Sequence, residues 1–442
     1  MMQCGTTPRV VSFAQEPLPA RSSLIAHPHW EPPPRKHYIK RMIDLLRDEP
    51  PPLPRPKVLI LGASTRAAAF SAWRAGYEPV CVDQFADADL QAIAEVHPVD
   101  SLSVASTSFL SAIQSQPDLP ILYAGGMENH PKLLRMLEAD RTLWGASGEA
   151  IQRVRHPQHL AAGLAEVKQR VLPVRLASDP PPRDSTWVVK PLASAGGRGI
   201  SVWDEVAPDL PLHSQHYFQQ RVSGPVYSAL FLAETELGDV RFIGLTRQLV
   251  GCPELHARPF AWCGNIGPVF LPVEAEFLVR RWGNILKWKF GLTGLYGIDF
   301  IVDEAGQPWL LEVNPRLTGS VEVLELACGL SLLADHIACY DPYAAAFARE
   351  FAAPPVMAED ERLGRAILYA PYLLRSHIPL PDPVHWESAP TIADIPEFGT
   401  LIERGHPVCS VYAWGTDEAD TTTKLFEAAG RLEPLLERVA GS

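Results

Sequence analysis

An α/β fold passing into α+β, closed by a small β-rich lobe, is what this sequence predicts, and three stretches carry the prediction. From Lys57 the chain reads K-V-L-I-L-G-A-S-T-R-A-A-A-F-S-A-W-R-A-G-Y-E-P-V-C-V-D, a βαβ pattern. Trp187 to Trp203 reads W-V-V-K-P-L-A-S-A-G-G-R-G-I-S-V-W, a strand, a small-residue loop and a second strand-like run. Gly294 to Ser320 reads G-L-Y-G-I-D-F-I-V-D-E-A-G-Q-P-W-L-L-E-V-N-P-R-L-T-G-S, two strands about a four-residue turn.

A chain of 442 residues can hold roughly two to four domains around a large core. Its 39 Lys and Arg against 51 Asp and Glu give a net charge of −12, so the surface as a whole repels nucleic acid and anionic membrane. Any phosphate site must therefore be locally basic. The 7 cysteines are odd in number and widely spaced, which suits reduced thiols and a cytoplasmic location. Cys252, His256 and Cys263 lack a fourth zinc ligand at usual spacing. No stretch reaches the ~18 apolar residues of a membrane span, and the N-terminus has no signal-like apolar core.

In chain order, residues 1–56 form a proline-rich arm, read as extended or disordered, with Lys40 to Arg47 as its one helix candidate. Val58 to Leu61 is a buried strand, Gly62-Ala63-Ser64 a turn, Thr65 to Ala75 a helix, and Pro79 to Val82 the next parallel strand. Asp83 after it invites a dinucleotide reading, but that fingerprint needs two further glycines and only Gly62 is present. Arg66 faces either an anionic substrate or solvent. A strand at Pro120 to Ala124 runs into Gly125-Gly126-Met127-Glu128-Asn129, where α/β folds place ligand loops. Glu128 is a candidate substrate contact, and Asn129 the expected cap of a helix opening at Pro131.

Leu143 to Val174 reads as linker and helix. In the glycine loop, Gly196, Gly197 and Gly199 permit positive φ and bring successive N–H groups to an anion. Ser194 adds a hydroxyl, and Lys190 and Arg198 add charge. This is a phosphate cradle. It is not a Walker loop, because its Lys precedes the glycines and a strand follows them. Val226 to Glu234 and Arg241 to Leu249 pair as antiparallel strands, and Gly251 to Pro268 is a long loop suited to a substrate wall.

In the acidic hairpin, opposing Asp303 to Pro308 sets Ile301 against Leu310, Asp299 against Glu312 and Gly297 against Asn314. Asp299, Glu312 and Asn314 then share one face. Two directly opposed carboxylates repel unless a cation lies between them, as Mg²⁺ held by hard oxygen ligands beside ATP phosphates would. Arg316 offers a bidentate fork to a phosphoryl group or a carboxylate. Gly319 to Tyr340 is amphipathic helix with Gly329 as a break. Short strands follow, closed by an Ala-rich helix at Thr422 to Val439.

Together these motifs resemble the ATP-grasp superfamily: K-P-x-x-S-x-G-G-x-G-I at Lys190 to Ile200, Q-Q-R-V-S-G at Gln219 to Gly224, and G-I-D-F-I with E-V-N-P-R. The resemblance implies a Rossmann-like pre-ATP-grasp domain at 57–142, a two-lobed ATP-grasp domain at 143–340 and a β-rich C-terminal lobe at 341–442, similar to that of biotin-carboxylase-like members. It implies that Lys190 binds ATP phosphates under a lid of Ser194, Gly196, Gly197, Arg198 and Gly199. Gln220, Arg221 and Val222 would line the adenine pocket, Asp299, Glu312 and Asn314 would ligate Mg²⁺, and Arg316 with Lys190 would act in catalysis. Many members carry an earlier phosphate-binding Lys. Here that region reads R-V-R-H-P-Q-H, leaving Arg153 or Arg155 to supply the charge, and Gln220 stands where an acid is usual.

The activity so implied is an ATP-dependent carboxylate-amine ligase forming a C–N bond through an acyl phosphate, acting on small-molecule carboxylate and amine substrates. A looser resemblance to members associated with one-carbon cofactor synthesis points toward cofactor biosynthesis, and the family allows a homodimer. The alternatives are biotin-carboxylase-like carboxylation and a non-catalytic ATP-binding scaffold.

Overall fold

The computed structural model describes residues 55–116, 118–207, 215–234, 240–343, 361–381 and 388–439. The proline-rich arm, up to residue 54, and its Lys40 to Arg47 helix candidate lie outside the described residues.

Apolar runs build the first layer. Lys57–Leu61, Glu78–Asp83, Glu95–Pro98 and Ile121–Tyr123 form a four-stranded parallel sheet in which Lys57–Leu61 lies between Glu78–Asp83 and Ile121–Tyr123. Val58 to Leu61 are fully buried, as parallel strands covered on both faces must be. The lone glycine of the turn is a packing residue, since a Cβ on Gly62 would stand 3.0 Å from the Ala124 Cβ. Asp83 is likewise committed to the fold. Its Oδ2 accepts from the Thr65 N–H at 2.5 Å and hydroxyl at 2.8 Å, and its Oδ1 from the Phe85 and Ala86 N–H groups at 2.8 and 2.7 Å.

The central layer is an eight-stranded antiparallel sheet, in the order Pro308–Asn314, Gly294–Val302, Val226–Ala233, Val240–Val250, Trp262–Val269, Arg362–Tyr369, Pro407–Gly415, Ile392–Ala393. The expected pairing of Val226 to Glu234 with Arg241 to Leu249 is present, with Arg241 opposite Leu232. Strands on the C-terminal side of residue 340 thus hydrogen-bond into the same sheet as the acidic hairpin. Helix Val273–Phe290 covers one face of the sheet, packing Trp282 against Phe300. Helix Gly319–Cys328, followed after Gly329 by Leu332–Ala338, covers the other.

A smaller antiparallel sheet of Val174–Leu176, His216–Gln220, Trp187–Pro191 and Ser201–Val202 carries the glycine loop between its last two strands. A third, of Leu401–Ile402, Leu374–Ser376 and Leu436–Arg438, closes the C-terminal side. The helix expected at Thr422 to Val439 instead runs Glu418–Gly430. Asp417 caps its start, accepting from the Asp420 N–H at 2.8 Å. Pro434 has no N–H to continue a helix, and the chain turns into strand Leu436–Arg438.

Arg66 reaches neither solvent nor either of the two cavities described below. It is fully buried on helix Arg66–Arg74. It grips Glu322 with two hydrogen bonds of 2.6 and 2.9 Å, Asp394 at 3.0 Å and the Tyr412 hydroxyl at 2.8 Å. Arg365 reaches the same Glu322 at 3.1 Å and Asp394 at 2.6 Å. This network ties the parallel sheet to the central sheet and its C-terminal strands.

Candidate active site

A cleft of about 600 Å³ opens between the small sheet and the acidic hairpin. Lys190, Ser194, Gly196, Gly197, Gln220, Arg221, Val222, Asp299, Glu312, Asn314 and Arg316 all line it. Arg198 and Gly199 do not; they face a second, adjoining cavity.

Lys190 enters from strand Trp187–Pro191 and is 9% exposed. Its Nζ donates to the Gln219 Oε1 at 2.7 Å, and the Gln219 Nε2 donates to the Leu311 carbonyl at 3.2 Å. Burial pulls the Lys190 ammonium below its ordinary range, against the attraction of Glu312 and Asp299. The glycine loop takes the left-handed conformations its sequence permits, with φ of 62°, 74° and 78° at Gly196, Gly197 and Gly199. Its tip sits on the long loop after Gly251. The Trp262 N–H donates to the Gly196 carbonyl at 3.1 Å, and a Cβ on Gly197 would fall 1.8 Å from the Phe260 carbonyl oxygen. Only glycine fits there. Phe260 and Trp262 face the cleft, so part of this loop does form one of its walls.

The hairpin register places Asp299 opposite Glu312 and Gly297 opposite Asn314. Beyond Asp299 it slips by one residue: Ile301 faces Trp309, not Leu310. The slip is a β-bulge at Leu311, the residue whose carbonyl receives Gln219, so the irregularity ties the hairpin to the strand below Lys190. Asp299 accepts from the Gln248 Nε2 at 2.7 Å and the Asn314 Nδ2 at 2.8 Å. Burial and then the Glu312 charge push its carboxyl up to about 7. Glu312 behaves oppositely. Burial would raise its pKa, yet Arg155, Lys190 and Arg316 together hold it below the usual range. Its side chain remains 42% exposed, because it is deep in the protein but open to the cleft.

Of Arg153 and Arg155, only Arg155 lines the cleft. Arg155, at the end of helix Gly148–Arg155, donates to the Glu312 Oε2 at 3.3 Å and to the Ser194 carbonyl at 3.1 Å. Arg153 turns away, to the Lys289 carbonyl at 2.9 Å.

Arg316 lines both cavities. Its Nε donates to the Glu128 Oε1 at 2.8 Å, and its Nη1 to the Leu317 carbonyl at 3.0 Å. Glu128 is 2% exposed, and its Oε2 is buried without a hydrogen-bond partner. It therefore meets Arg316 from a segment 188 residues away, and lines neither cavity itself. Asn129 is not the cap of helix Pro131–Asp140. His130 holds that position, and makes no side-chain capping bond. Gln219 and Gln248 went unpredicted as site residues, although polar side chains inside otherwise apolar strands were a legible signal.

Among the described residues no group of three or more His, Cys, Asp or Glu side chains could hold a metal ion. The donor set fits a hard divalent cation in a different way. Two carboxylates face each other and Asn314 lies on the same face, offering oxygen ligands only. The proton implied by the raised Asp299 pKa is the alternative relief of the same repulsion.

No curated protein matches this sequence. Residues 162–320 match the ATP-grasp domain family. The fold is similar to biotin carboxylase from Campylobacter jejuni, with a TM-score of 0.60 and 15% identity over 83% of this chain and 89% of that one. It is similar to N5-carboxyaminoimidazole synthetase from Staphylococcus aureus, solved with ADP, with a TM-score of 0.57 and 14% identity over 85% of this chain and 97% of that one. It is also similar to L-amino acid ligase from Bacillus licheniformis, with a TM-score of 0.59 and 13% identity over 88% of this chain and 100% of that one. The chain carries an ATP-grasp domain and has the fold of the ATP-grasp superfamily.

Proposed function

We propose that the protein is an ATP-dependent carboxylate-amine ligase acting through an acyl phosphate. One observation carries the reading. Lys190 and Arg155 converge on the opposed Asp299 and Glu312 in a cleft whose far side opens, at Arg316, into a second cavity. ATP fits with adenine against Gln220, Arg221 and Val222 and its phosphates under the glycine loop, where Lys190 and Arg155 supply the positive charge. Asp299, Glu312 and Asn314 are the residues that would hold Mg²⁺, which when bound neutralises charge on phosphate oxygens. A substrate carboxylate held by Arg316 attacks the γ-phosphorus, its O–P bond forming as the bond to ADP breaks. Arg316 stabilises the developing charge, and the seated loop keeps water from the acyl phosphate. An amine then attacks the acyl carbon and phosphate departs.

ADP release with Mg²⁺ and ATP, measured against pools of carboxylates and amines, tests the reading. Release that needs both pools supports it. Release driven by biotin and bicarbonate supports a carboxylase instead, a reading favoured by the likeness to biotin carboxylase. Nucleotide binding without ADP under any pool supports a scaffold, although Arg155 weakens the motive for that reading by placing a cation where the early Lys is missing. Glu312→Gln should abolish turnover while leaving the melting temperature near that of wild type. Activity like wild type in this variant would sink the metal assignment.

A further inference from the structure

The second cavity, of about 1020 Å³, adjoins the nucleotide cleft through Gly196, Gly197, Arg316 and Thr318. Both signs of charge line it: Arg316, Arg198 and Arg258, and the acids Asp87, Asp394 and Glu322. Asp394 accepts from Ser410, and Arg365 reaches both Asp394 and Glu322.

Around these acids two guanidinium groups, Arg66 and Arg365, meet three carboxylates, Glu322, Asp394 and Asp89. All five are satisfied. Arg66 and Arg365 divide Glu322 and Asp394 between them, and Asp89 accepts from the Asp394 and Ile395 N–H groups at 3.0 Å each. Asp87 is a fourth acid and stands apart. It is 6% exposed and lines the cavity. It begins helix Ala88–Gln91 yet accepts no capping hydrogen bond, and no donor among the described residues reaches its carboxyl. Burying such a group without a partner is costly, and natural sites that keep one generally use it for a ligand.

We propose that the acidic part of this cavity is a cation subsite, where the Asp87 carboxylate pairs with a protonated amino group of a zwitterionic substrate whose carboxylate lies toward Arg316, which lines the same cavity. The proposal rests on the ligase reading and narrows its substrate to an amino-carboxylate. The groups facing Asp87 are Asp83 from strand Glu78–Asp83, Asp89 from its own helix, Asp394 from the C-terminal side, Arg66 from the first helix and the Cys409 thiol from strand Pro407–Gly415. Burial and the three acids outweigh the one arginine, holding the carboxyl well above the usual carboxylate range. Pairing with an ammonium group favours the ionised carboxylate and so draws a proton off this group.

The test uses the full chain with Mg²⁺ and a non-hydrolysable ATP analogue. The probes are ω-amino acids from 3-aminopropanoate to 6-aminohexanoate, each paired with the unaminated acid of equal length, and binding is read by calorimetry in two buffers of different ionisation enthalpy. Wild type should bind one aminated probe at least about tenfold more tightly than its partner, as for a hydrogen bond between charged groups. It should release protons on binding, with affinity rising as pH rises. Asp87→Asn should abolish the preference and the proton release while keeping nucleotide affinity and melting temperature. Asp87→Ser, whose small hydroxyl side chain suits the start of a helix, should do the same should the amide variant fold poorly. No preference in wild type, or a preference retained in a folded variant, overturns the subsite. Failure of the nucleotide analogue to bind overturns the ligase reading itself.

Discussion

Replacing Arg155 by Ala asks whether this residue supplies the phosphate-binding charge that the sequence left to either of two arginines. Arg155 is 12% exposed, reaches the Glu312 carboxylate at 3.3 Å, and ties the Ser194 carbonyl to helix Gly148–Arg155. Its loss removes one charge-assisted contact to a phosphate, about 1.5–3 kcal/mol. That equals a weakening of nucleotide binding by about tenfold to a hundredfold. It also leaves Glu312 with only Lys190 and Arg316 against Asp299, so the glycine loop loses an anchor and the hairpin loses a counter-charge. Arg153→Ala is the internal control, because that side chain is exposed and bonds to the Lys289 carbonyl outside the cleft. Calorimetric titration of ATP with Mg²⁺ into the two variants should give near-wild-type affinity for Arg153→Ala and the full loss for Arg155→Ala. Equal affinities in the two variants, or the larger loss in Arg153→Ala, would refute the assignment.

Other outcomes follow from neighbouring contacts. Glu128→Gln keeps an acceptor for the Arg316 Nε but removes its charge, so ADP release should fall about tenfold or more with nucleotide affinity unchanged, since Glu128 lies outside the cleft. Glu322→Ala strands two buried guanidinium groups and should cost about 3–5 kcal/mol in urea unfolding, whereas Glu276→Ala, at an exposed helical pair, should cost under about 0.5 kcal/mol. His336 is neutral and buried, accepting from the Leu295 N–H at 2.8 Å through Nδ1 and facing the Trp144 carbonyl at 3.1 Å through Nε2. Burial depresses its pKa to about 4 from 6.5. Between those values the unfolded chain binds the extra proton, so the contribution is complete above pH 6.5 and is lost as pH falls toward 4. This amounts to about 3 kcal/mol. His336→Gln, which can make both bonds without titrating, should flatten that part of the melting curve against pH, and an unchanged curve would argue against it.

The hairpin shows how far local pattern reaches. Alternation with period two set Asp299 against Glu312, but from a turn register one residue off, since Val302 and not Asp303 stands opposite Pro308; the bulge at Leu311 restores the expected pairing. The slip at Leu311 was invisible, since it answers to Gln219 on a different sheet. Strand phase separates two neighbours in the same way. Gln219 points to Lys190 while Gln220, next along the strand, lines the cleft without that bond, and sequence identity alone does not distinguish them. The G-G-M-E-N stretch was recognisable as a ligand-type loop, but its acid acts through an arginine 188 residues on. Arg66 was the least legible of all. In a helix of small residues it reads as a surface side chain, and its burial depends on three carboxylates contributed by other parts of the chain.

That last network constrains the order in which the molecule can be completed. The parallel sheet and helix Arg66–Arg74 occupy the first quarter of the described chain, yet the partners of Arg66 arrive at residues 322, 394 and 412. Until those segments exist, burying the guanidinium is prohibitive, and the N-terminal layer must wait with its helix incompletely docked. A chain halted after residue 340 would regain the Glu322 fork but neither Asp394 nor Tyr412, leaving Arg66 with one of these three partners. Long-range closure of this kind makes folding slow. During synthesis, a layer made early is among the last to be finished.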